Sequence, residues 1–470
     1  MDLREIIGSL FFVGIEGTAL TTQEIKFLTN ECIGGVILFS RNLKEKNQVN
    51  DLINSIKSLA TPQPLVAIDH EGGLIERWSQ ELTPFPGNMA LGAVDDEKLA
   101  YQQGKAMGQE LHFWQIDINF APVLDVLTCH QNPVIGVRSF SDDPFKVAKL
   151  GTSLAKGLYE EGVLPVFKHF PGHGGTISDS HLELPIISKD LHHLYNIHLY
   201  PFKEAIKDHA LAIMTSHVLY TSLDQKYPAT LSKSILTNLL RKELGFRGLV
   251  FTDCLEMKAL DSFGDFNWRS LKTLYSGADI LLISHSQAKA KSSLEHLRKE
   301  LKERLEFRSV IETSLRRLDE VKSVLNKNIE RKIINSTKHK EIADTIRGNS
   351  LTLYYNDGII PLRDAVPLIK IYEDITEKDL KHTLDVHKTV IIASCDAFKT
   401  ECQIKIINQV KALDNRIIHL VAGNPVDLRL LPESKATILT YSKQEGSLSG
   451  AIDLIYGKRV SKGKIPLKII

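Results

Sequence analysis

The feature that most constrains this fold is an alternation of apolar runs with amphipathic stretches over roughly the first 285 residues. Seven runs rich in Val, Ile and Leu lie at residues 34–39, 65–69, 118–126, 164–168, 211–217, 248–253 and 279–284. They lack strict apolar–polar alternation, which is typical of parallel strands buried on both faces. Amphipathic stretches, predicted as helices, lie between them at 44–59, 97–114, 144–162 and 232–244. Repeated strand–helix units over about 250 residues indicate a (β/α)8 barrel, with a doubly wound sheet as the competing topology.

Polar residues at the ends of these runs favour the barrel. The residues at or next to the C-terminal ends of the runs are Asp69, Asp125, Lys168, His169, His217 and Asp253. In a barrel the strand-to-helix loops converge at that end of the strands, where barrel enzymes build their sites. A doubly wound sheet would bring ligands to one switch point instead. We therefore predict a catalytic TIM-type barrel over residues 1–285.

The remaining residues divide into two parts. Residues 286–349 are highly charged, with helical patterns at 289–305 and 310–328, and predict a connector or a cover for the barrel. Strand-like runs return near 351–355, 369–373, 389–394, 417–422 and 437–441, with helical stretches between them. Residues 350–470 are therefore predicted to form a second, smaller α/β domain.

Charge, apolar run length and cysteine content indicate which partners and which cellular compartment suit this chain. The 58 Lys and Arg residues nearly balance 57 Asp and Glu residues, so nothing indicates a nucleic acid or an anionic membrane as partner. No apolar run reaches the roughly 18 residues that a membrane span needs. The apolar stretch at 6–13 follows Glu5 and precedes no small-residue cleavage site, so we interpret it as an amphipathic helix rather than a signal peptide. Five scattered cysteines suit a reducing compartment, and we predict the cytoplasm.

Residues 168–181 carry the densest set of ionisable groups, and read Lys-His-Phe-Pro-Gly-His-Gly-Gly-Thr-Ile-Ser-Asp-Ser-His. The proline and glycines predict a loop after a strand end. Within it, Asp179 is close enough to His181 to orient the imidazole for general acid/base work. Two alternatives remain: a structural loop, and a metal site formed by His169, His173 and His181, which the adjacent Lys168 would oppose.

Four other residues, in three segments, are candidates for a sugar site. Asp253 ends an apolar strand, where a carboxylate can act as a glycosidase nucleophile or merely cap a helix. Asp69 with Arg77, and Arg138 farther along, can hold sugar hydroxyls or a carboxylate. Each of these can equally form a structural ion pair.

Taken together these segments resemble glycoside hydrolase family 3, in its bacterial β-N-acetylglucosaminidase branch. The matching segments are residues 168–181 with Pro185, Asp-x-Glu-Gly-Gly at 69–73, Phe-Ala-Pro-Val-Leu-Asp at 120–125, Arg-Ser-Phe at 138–140, Met-Thr-Ser-His at 214–217, Pro-Ala-Thr-Leu-Ser at 228–232 and the strand into Asp253. Some members of that family carry an α/β sandwich after the barrel, and residues 423–428 and 444–446 resemble it more loosely. The resemblance covers essentially all of residues 1–285.

The resemblance implies Asp253 as the nucleophile of a covalent glycosyl-enzyme, His181 as acid/base and Asp179 as its partner. The implied sugar-binding residues are Asp69, Arg77, Arg138, Lys168 and His169. No metal or organic cofactor is implied. Two positions depart from the family pattern: Leu74 stands where Arg is common, and Cys254 stands where a second Asp is common. A reactive thiol at Cys254 is an alternative with little support, since nothing clearly positive lies beside it in the sequence.

The implied substrate is a β-linked N-acetylglucosamine oligosaccharide or a muropeptide from peptidoglycan recycling, cleaved by a monomer or homodimer. A β-glucosidase is one alternative, but those relatives lack the Asp-Ser/Thr-His loop. A phosphorylase stays open because a histidine base tolerates an anionic acceptor. A non-catalytic sugar-binding protein predicts the loss of Asp253 or of the Asp179–His181 pair, and all three residues are present.

Overall fold

A computed structural model describes residues 2–59, 63–325, 334–412 and 416–468. The strands up to residue 283 are β1 (Phe11–Gly14), β2 (Gly35–Leu38), β3 (Leu65–Ile68), β4 (Ile118–Asn119), β5 (Leu164–Pro165), β6 (Phe167–Phe170), β7 (Ile186–Ile187), β8 (Ala212–Thr215), β9 (Leu219–Tyr220), β10 (Leu249–Phe251) and β11 (Leu281–Ile283). The α-helices are α1 (Leu3–Gly8), α2 (Thr22–Asn30), α3 (Lys46–Lys57), α4 (Asn88–Val94), α5 (Glu97–Phe113), α6 (Pro144–Glu160), α7 (Leu191–His193), α8 (Tyr200–Lys207) and α9 (Phe266–Ser276). Leu194–His198 and Ser234–Glu243 are π-helical, and the second lies within the helix predicted at 232–244.

Eight strand runs close into a parallel ring. Six strands pair in the order β11-β1-β2-β3-β4-β5, and three in the order β6-β8-β10. Strand β6 continues β5 after the single residue Val166, and Phe251 of β10 pairs in parallel with Ile280 just before β11. The predicted (β/α)8 barrel is therefore confirmed.

The first strand of the ring corrects the prediction for the N-terminus. The apolar stretch at 6–13 was expected to be helical, but α1 ends at Gly8 and β1 begins at Phe11. Strand β1 pairs with both β2 and β11, and all four of its residues are buried. A short run buried on both faces carries no periodicity that distinguishes a strand from a helix.

The barrel interior is filled by aromatic side chains. The ring of Phe251 lies 5.4 Å from that of Phe12 and 5.5 Å from that of Phe120, measured between centroids in edge-on geometry. Such contacts are typical of packed barrel cores. They favour the mouth of the barrel over its centre as the place for a ligand.

Three helices follow the barrel: α10 (Gln287–Glu303), α11 (Leu305–Leu325) and α12 (Ser336–Ser350). Leu294, Ile311 and Ile346 of these helices belong to the same buried apolar cluster as the barrel core. Residues 326–333, within the predicted connector, lie outside the described residues. The boundaries predicted at 285 and 349 stay predictions. In the described ranges, no helix is long and apolar enough to cross a membrane.

The C-terminal part is a three-layer α/β sandwich, as predicted. Its strands and helices are β12 (Thr352–Asn356), β13 (Leu368–Lys370), β14 (Thr389–Ser394), β15 (Arg416–Val421), β16 (Ala436–Leu439), α13 (Glu377–Val386), α14 (Glu401–Lys411) and α15 (Glu445–Ile455). The strand order is β12-β16-β15-β14-β13, with β12 antiparallel to its neighbour. Val390 and Ile392 pack with Leu384 of α13, whereas Ile391 packs with Leu454 of α15. Both faces of the sheet are therefore covered by helices.

Candidate active site

Loops from several strand ends meet in one pocket at the C-terminal mouth of the barrel. Its lining residues are Asp69, Glu71, Ile75, Arg77, Val134, Arg138, Lys168, His169, His173, Ser180, His181, Met214, Asp253 and Leu282. The structure thus brings together seven of the eight site residues expected from the sequence, and the eighth, Asp179, bonds to His181. The roles assigned to them stay predictions.

Asp253 follows β10 and is held ionised by its surroundings. Its Oδ1 accepts the backbone N–H of Cys254 at 2.7 Å. Burial opposes its charge, but the imidazoles of His217 and His169 and this N–H lower the pKa of Asp253 below its ordinary value. The alternative of a helix cap is wrong, because the next helical turn, Lys258–Leu260, has Met257 at its cap position. Asp253 is therefore an anionic side chain at the pocket wall.

His181 and Asp179 form a hydrogen-bonded pair on the loop after β6. The Nδ1–H of His181 donates to Asp179 Oδ1 at 2.8 Å, and its backbone N–H donates to the same oxygen at 2.8 Å. Burial opposes the charge on Asp179, but these two donors lower its pKa. The His181 side chain is 62% exposed. Because Nδ1 is engaged, Nε2 is the nitrogen available for proton exchange with a bound molecule.

The sugar-binding candidates are joined through Glu71, a carboxylate that the prediction left out. Arg138 donates to Glu71 through Nε at 2.9 Å and Nη2 at 2.8 Å, and Lys168 Nζ lies 2.6 Å from Glu71. Lys168 also donates to Asp69 at 2.8 Å, and Arg77 lies 3.4 Å from the other oxygen of Asp69. Burial opposes the charge on Glu71, but the two cations hold its pKa well below the usual range. The signal available in the sequence was its position two residues after Asp69, on the same loop.

Replacement of Glu71 tests this ion-pair cluster through stability. Glu71→Gln leaves Arg138 and Lys168, with side chains 11% and 2% exposed, without their shared carboxylate. We expect the free energy of unfolding in urea to fall by about 3 kcal/mol, because an unpaired buried charge keeps its desolvation cost. Glu320→Gln is the matched control: its partner Arg316 lies 4.0 Å away and both side chains are mostly exposed. A loss for Glu71→Gln as small as in this control would contradict the argument.

Asp125 is a second residue whose role the prediction missed, although it was noted at a strand end. It is fully buried and its Oδ2 lies 2.7 Å from His169 Nδ1. Its Oδ1 accepts the backbone N–H groups of His169 at 3.2 Å and His173 at 2.5 Å. Asp125 therefore fixes the orientation of His169, leaving Nε2 of that ring as its free nitrogen.

The three histidines of the metal alternative are each engaged elsewhere. His173 bonds Ser180 at 3.0 Å through Nε2 and Thr176 at 3.1 Å through Nδ1, while His169 and His181 each bond a carboxylate. Across the described part of the chain, no group of three or more His, Cys, Asp and Glu side chains has an arrangement that could hold a metal ion. The orientation of each of these imidazoles is therefore accounted for by its hydrogen bonds to other side chains.

The two positions that depart from the family pattern have little direct bearing on the pocket lining. Leu74 is 49% exposed on the turn made by Gly72 and Gly73, and it does not line the pocket. Burial raises the pKa of the Cys254 thiol to about 11, so the reactive thiolate is disfavoured. The backbone N–H of Cys254, not its sulfur, contacts Asp253.

Replacement of Cys254 follows from this arrangement. We expect Cys254→Ala to keep kcat/KM within about threefold of wild type, because the N–H that serves Asp253 is unchanged. In native wild-type protein, iodoacetamide followed by peptide mass spectrometry should label the exposed Cys402 well before Cys254. Rapid labelling of Cys254 with loss of activity would restore the reactive-thiol alternative.

Comparison with known proteins gives consistent matches. The model of the glycosyl hydrolase family 3 N-terminal domain matches residues 2–321. A beta-hexosaminidase of Methylobacillus flagellatus is 36% identical over 290 residues, covering 60% of this chain and 82% of that protein. The structure of a family 3 beta-N-acetylglucosaminidase from Paenibacillus sp. str. FPU-7 matches with a TM-score of 0.93 and 31% identity over 99% of both chains.

A shorter solved structure matches as well. NagZ from Neisseria gonorrhoeae, in complex with N-trifluoroacetyl-D-glucosamine, matches with a TM-score of 0.59 and 32% identity. The match covers 72% of this chain and 97% of the Neisseria chain. The Paenibacillus protein is thus similar over the barrel and the sandwich together, whereas the Neisseria protein leaves part of this chain unmatched.

Proposed function

This chain belongs to glycosyl hydrolase family 3, and from that premise we propose that it hydrolyses terminal β-linked N-acetylglucosaminides through a covalent glycosyl-enzyme. It is a glycoside hydrolase, and its relatives named above are a beta-hexosaminidase and a beta-N-acetylglucosaminidase. One observation carries the proposal: the anionic Asp253 and the exposed His181 of the Asp179–His181 pair line the same pocket. A retaining glycosidase needs a nucleophile and a proton donor of this kind on the two sides of one bond.

In the first step the carboxylate of Asp253 attacks the anomeric carbon. The bond from that carbon to the glycosidic oxygen breaks, and the proton on His181 Nε2 passes to the leaving oxygen. Asp179 keeps the imidazole oriented through Nδ1 and stabilises its protonated form. The products of this step are the free leaving group, the ester to Asp253 and a neutral histidine.

In the second step His181 Nε2 takes a proton from water, and the water oxygen attacks the anomeric carbon. The ester bond breaks and Asp253 leaves as a carboxylate, which restores the starting charges. A neutral base adds no second negative charge near the departing carboxylate. An imidazole on an exposed loop therefore suits a site that already holds Asp253, Asp69 and Glu71.

The cation–carboxylate cluster is proposed to bind the sugar. Lys168, Arg138 and Arg77 present donors, and Asp69 presents acceptors, along one wall of the pocket. His169, fixed by Asp125, adds one ring nitrogen. Muropeptide fragments bearing terminal N-acetylglucosamine, formed during cytoplasmic peptidoglycan recycling, are the natural substrates in this proposal. The five free cysteines support a reducing compartment.

Substrate comparison and product analysis test the proposal. We expect kcat/KM for release of 4-nitrophenol from 4-nitrophenyl N-acetyl-β-glucosaminide to exceed that for the β-glucoside by at least about 100-fold. A site whose polar groups bind the N-acetyl substituent leaves those groups unpaired when the substrate lacks it. The product with and without inorganic phosphate should be free N-acetylglucosamine. Formation of the sugar 1-phosphate would identify a phosphorylase, and preference for the glucoside would overturn the assigned sugar.

A further inference from the structure

The C-terminal sandwich domain hydrogen-bonds to two barrel loops that carry sugar-binding residues. The β3 loop, residues 69–87, carries Asp69 and Arg77, and the β4 loop, residues 120–143, carries Arg138. Loops are the most mobile parts of a barrel, while sugar recognition needs their side chains fixed in advance. The residues that hold these two loops in place therefore affect sugar binding.

Four described residues of the C-terminal part hydrogen-bond to the β4 loop, and one of them is Pro466, whose carbonyl accepts from Ser141 Oγ. Asn424 Nδ2 donates to the carbonyl of His130 at 2.8 Å, and Lys399 Nζ donates to the carbonyl of Pro133 at 3.1 Å. The backbone N–H of Lys468 donates to Asp142 at 2.6 Å. Asn424 is 1% exposed, and its Oδ1 accepts a backbone N–H from its own domain at 3.1 Å, so its amide is fixed from behind.

Asn132, two residues after His130, links the contact made by Asn424 to the loop that carries the Asp179–His181 pair. The Oδ1 of Asn132 accepts the N–H groups of Val134 at 2.9 Å and Ile135 at 2.7 Å, in the segment leading to Arg138. Its Nδ2 donates to the carbonyl of His173 at 2.9 Å and to Thr176 at 3.0 Å. Thr176 lies on the loop that carries the Asp179–His181 pair. A displacement near His130 would therefore reach both Arg138 and this pair.

The β3 loop is held by Gln444. Its Nε2 donates to Glu76 Oε2 at 3.0 Å and to the carbonyl of Phe85 at 3.0 Å. The same carbonyl accepts the N–H of Gly73 at 2.7 Å, which closes the loop on itself. Glu76 directly precedes Arg77, and Arg347 donates to the carbonyl of Pro84 beside Phe85. Burial raises the pKa of Glu76 to about 8, so near pH 7 its carboxyl is largely neutral.

We propose that Asn424 and Gln444 are positioning residues for the sugar site, through which the sandwich domain preorganises Arg138 and Arg77. This inference rests on the proposed function, because it assigns these arginines to substrate binding. Loops ordered before the substrate arrives do not lose that conformational entropy on binding. The sandwich domain then contributes to affinity without lining the pocket.

Kinetics of the full chain test the proposal. We expect Asn424→Ala and Gln444→Ala each to raise KM for 4-nitrophenyl N-acetyl-β-glucosaminide about tenfold, with kcat within about threefold of wild type. Such a split reports lost binding that is shared by the substrate and the transition state. Hydrogen–deuterium exchange should become faster in residues 120–143 for Asn424→Ala and in residues 69–87 for Gln444→Ala.

Ser434→Ala is the matched control. It removes a buried hydrogen bond, between the hydroxyls of Ser434 and Thr437 at 2.7 Å, at the start of β16 in the same sheet and away from Asn424 and Gln444. We expect it to lower the melting temperature without changing KM or loop exchange. A rise in KM for the control as large as that for Asn424→Ala and Gln444→Ala would overturn the proposal. KM values for Asn424→Ala and Gln444→Ala both within about twofold of wild type would also overturn it. Inactive wild-type protein would instead overturn the proposed function; loop-specific exchange would then still support positioning, and unchanged exchange would overturn it.

Discussion

Asp253→Ala is expected to lower kcat on 4-nitrophenyl N-acetyl-β-glucosaminide by about 10⁴-fold or more, because loss of a covalent nucleophile removes the route through the glycosyl-enzyme. The activated nitrophenolate cannot compensate, since the missing bond is the one to the anomeric carbon. The acid side of the wild-type pH profile reflects the same residue. Because the pKa of Asp253 is lowered, activity should persist as the pH falls and decline only below the usual range of an aspartate.

Azide distinguishes a nucleophile from a structural carboxylate. In Asp253→Ala, azide can enter the space on the face that the carboxylate occupied, and we expect it to restore turnover and give the α-glycosyl azide. Wild-type enzyme should release the β-anomer first, as seen by NMR, because two displacements restore the configuration. Asp261→Ala, at a 60% exposed aspartate eight residues along the same loop, should remain active. Initial release of the α-anomer by wild type would refute the double displacement.

The positions of the strand ends can be predicted from the sequence, but the side-chain pairs that form between the loops cannot. Asp69 and Asp253 were found because the apolar runs that predict buried strands stop at them, and in a barrel those ends meet. His169 was found by the same pattern, although it lies within β6 rather than after it. Glu71 bonds Arg138 across 67 residues of sequence and Asp125 bonds His169 across 44. Such partners depend on which loops approach each other, so no local sequence pattern shows that these two carboxylates are buried and paired.

The same limit applies to the first strand and to the sandwich domain. Strand β1 was hidden because its four residues are all apolar and buried, so only its pairing with β11 identifies it. A second α/β domain followed from apolar runs between helical stretches, and its sandwich form from the family resemblance. Its contact with the site followed from neither. Asn424 and His130 are separated by 294 residues, and their hydrogen bond exists only once both domains are folded.

His181→Ala should separate the two halves of the proposed reaction. For a β-linked disaccharide of N-acetylglucosamine we expect kcat to fall about 10³-fold, since the sugar alkoxide cannot leave without a proton. With the 4-nitrophenyl glycoside, whose leaving group needs no proton, the first step should survive and appear as a burst of nitrophenol. The second step should be slow, because no base remains to activate water.

The pH profile and azide assign the effect to proton transfer. If His181 is the proton donor, the alkaline limb of the kcat/KM profile for the disaccharide should be present in wild type and absent in His181→Ala. Azide needs no base, so it should speed release of the trapped sugar and give the β-glycosyl azide, the opposite anomer to that from Asp253→Ala. His192→Ala, at an exposed histidine of α7 farther along the same segment, is the matched control and should behave as wild type. An alkaline limb that survives in His181→Ala, or equal losses with both substrates, would mean that another group donates the proton and that His181 acts through loop structure alone.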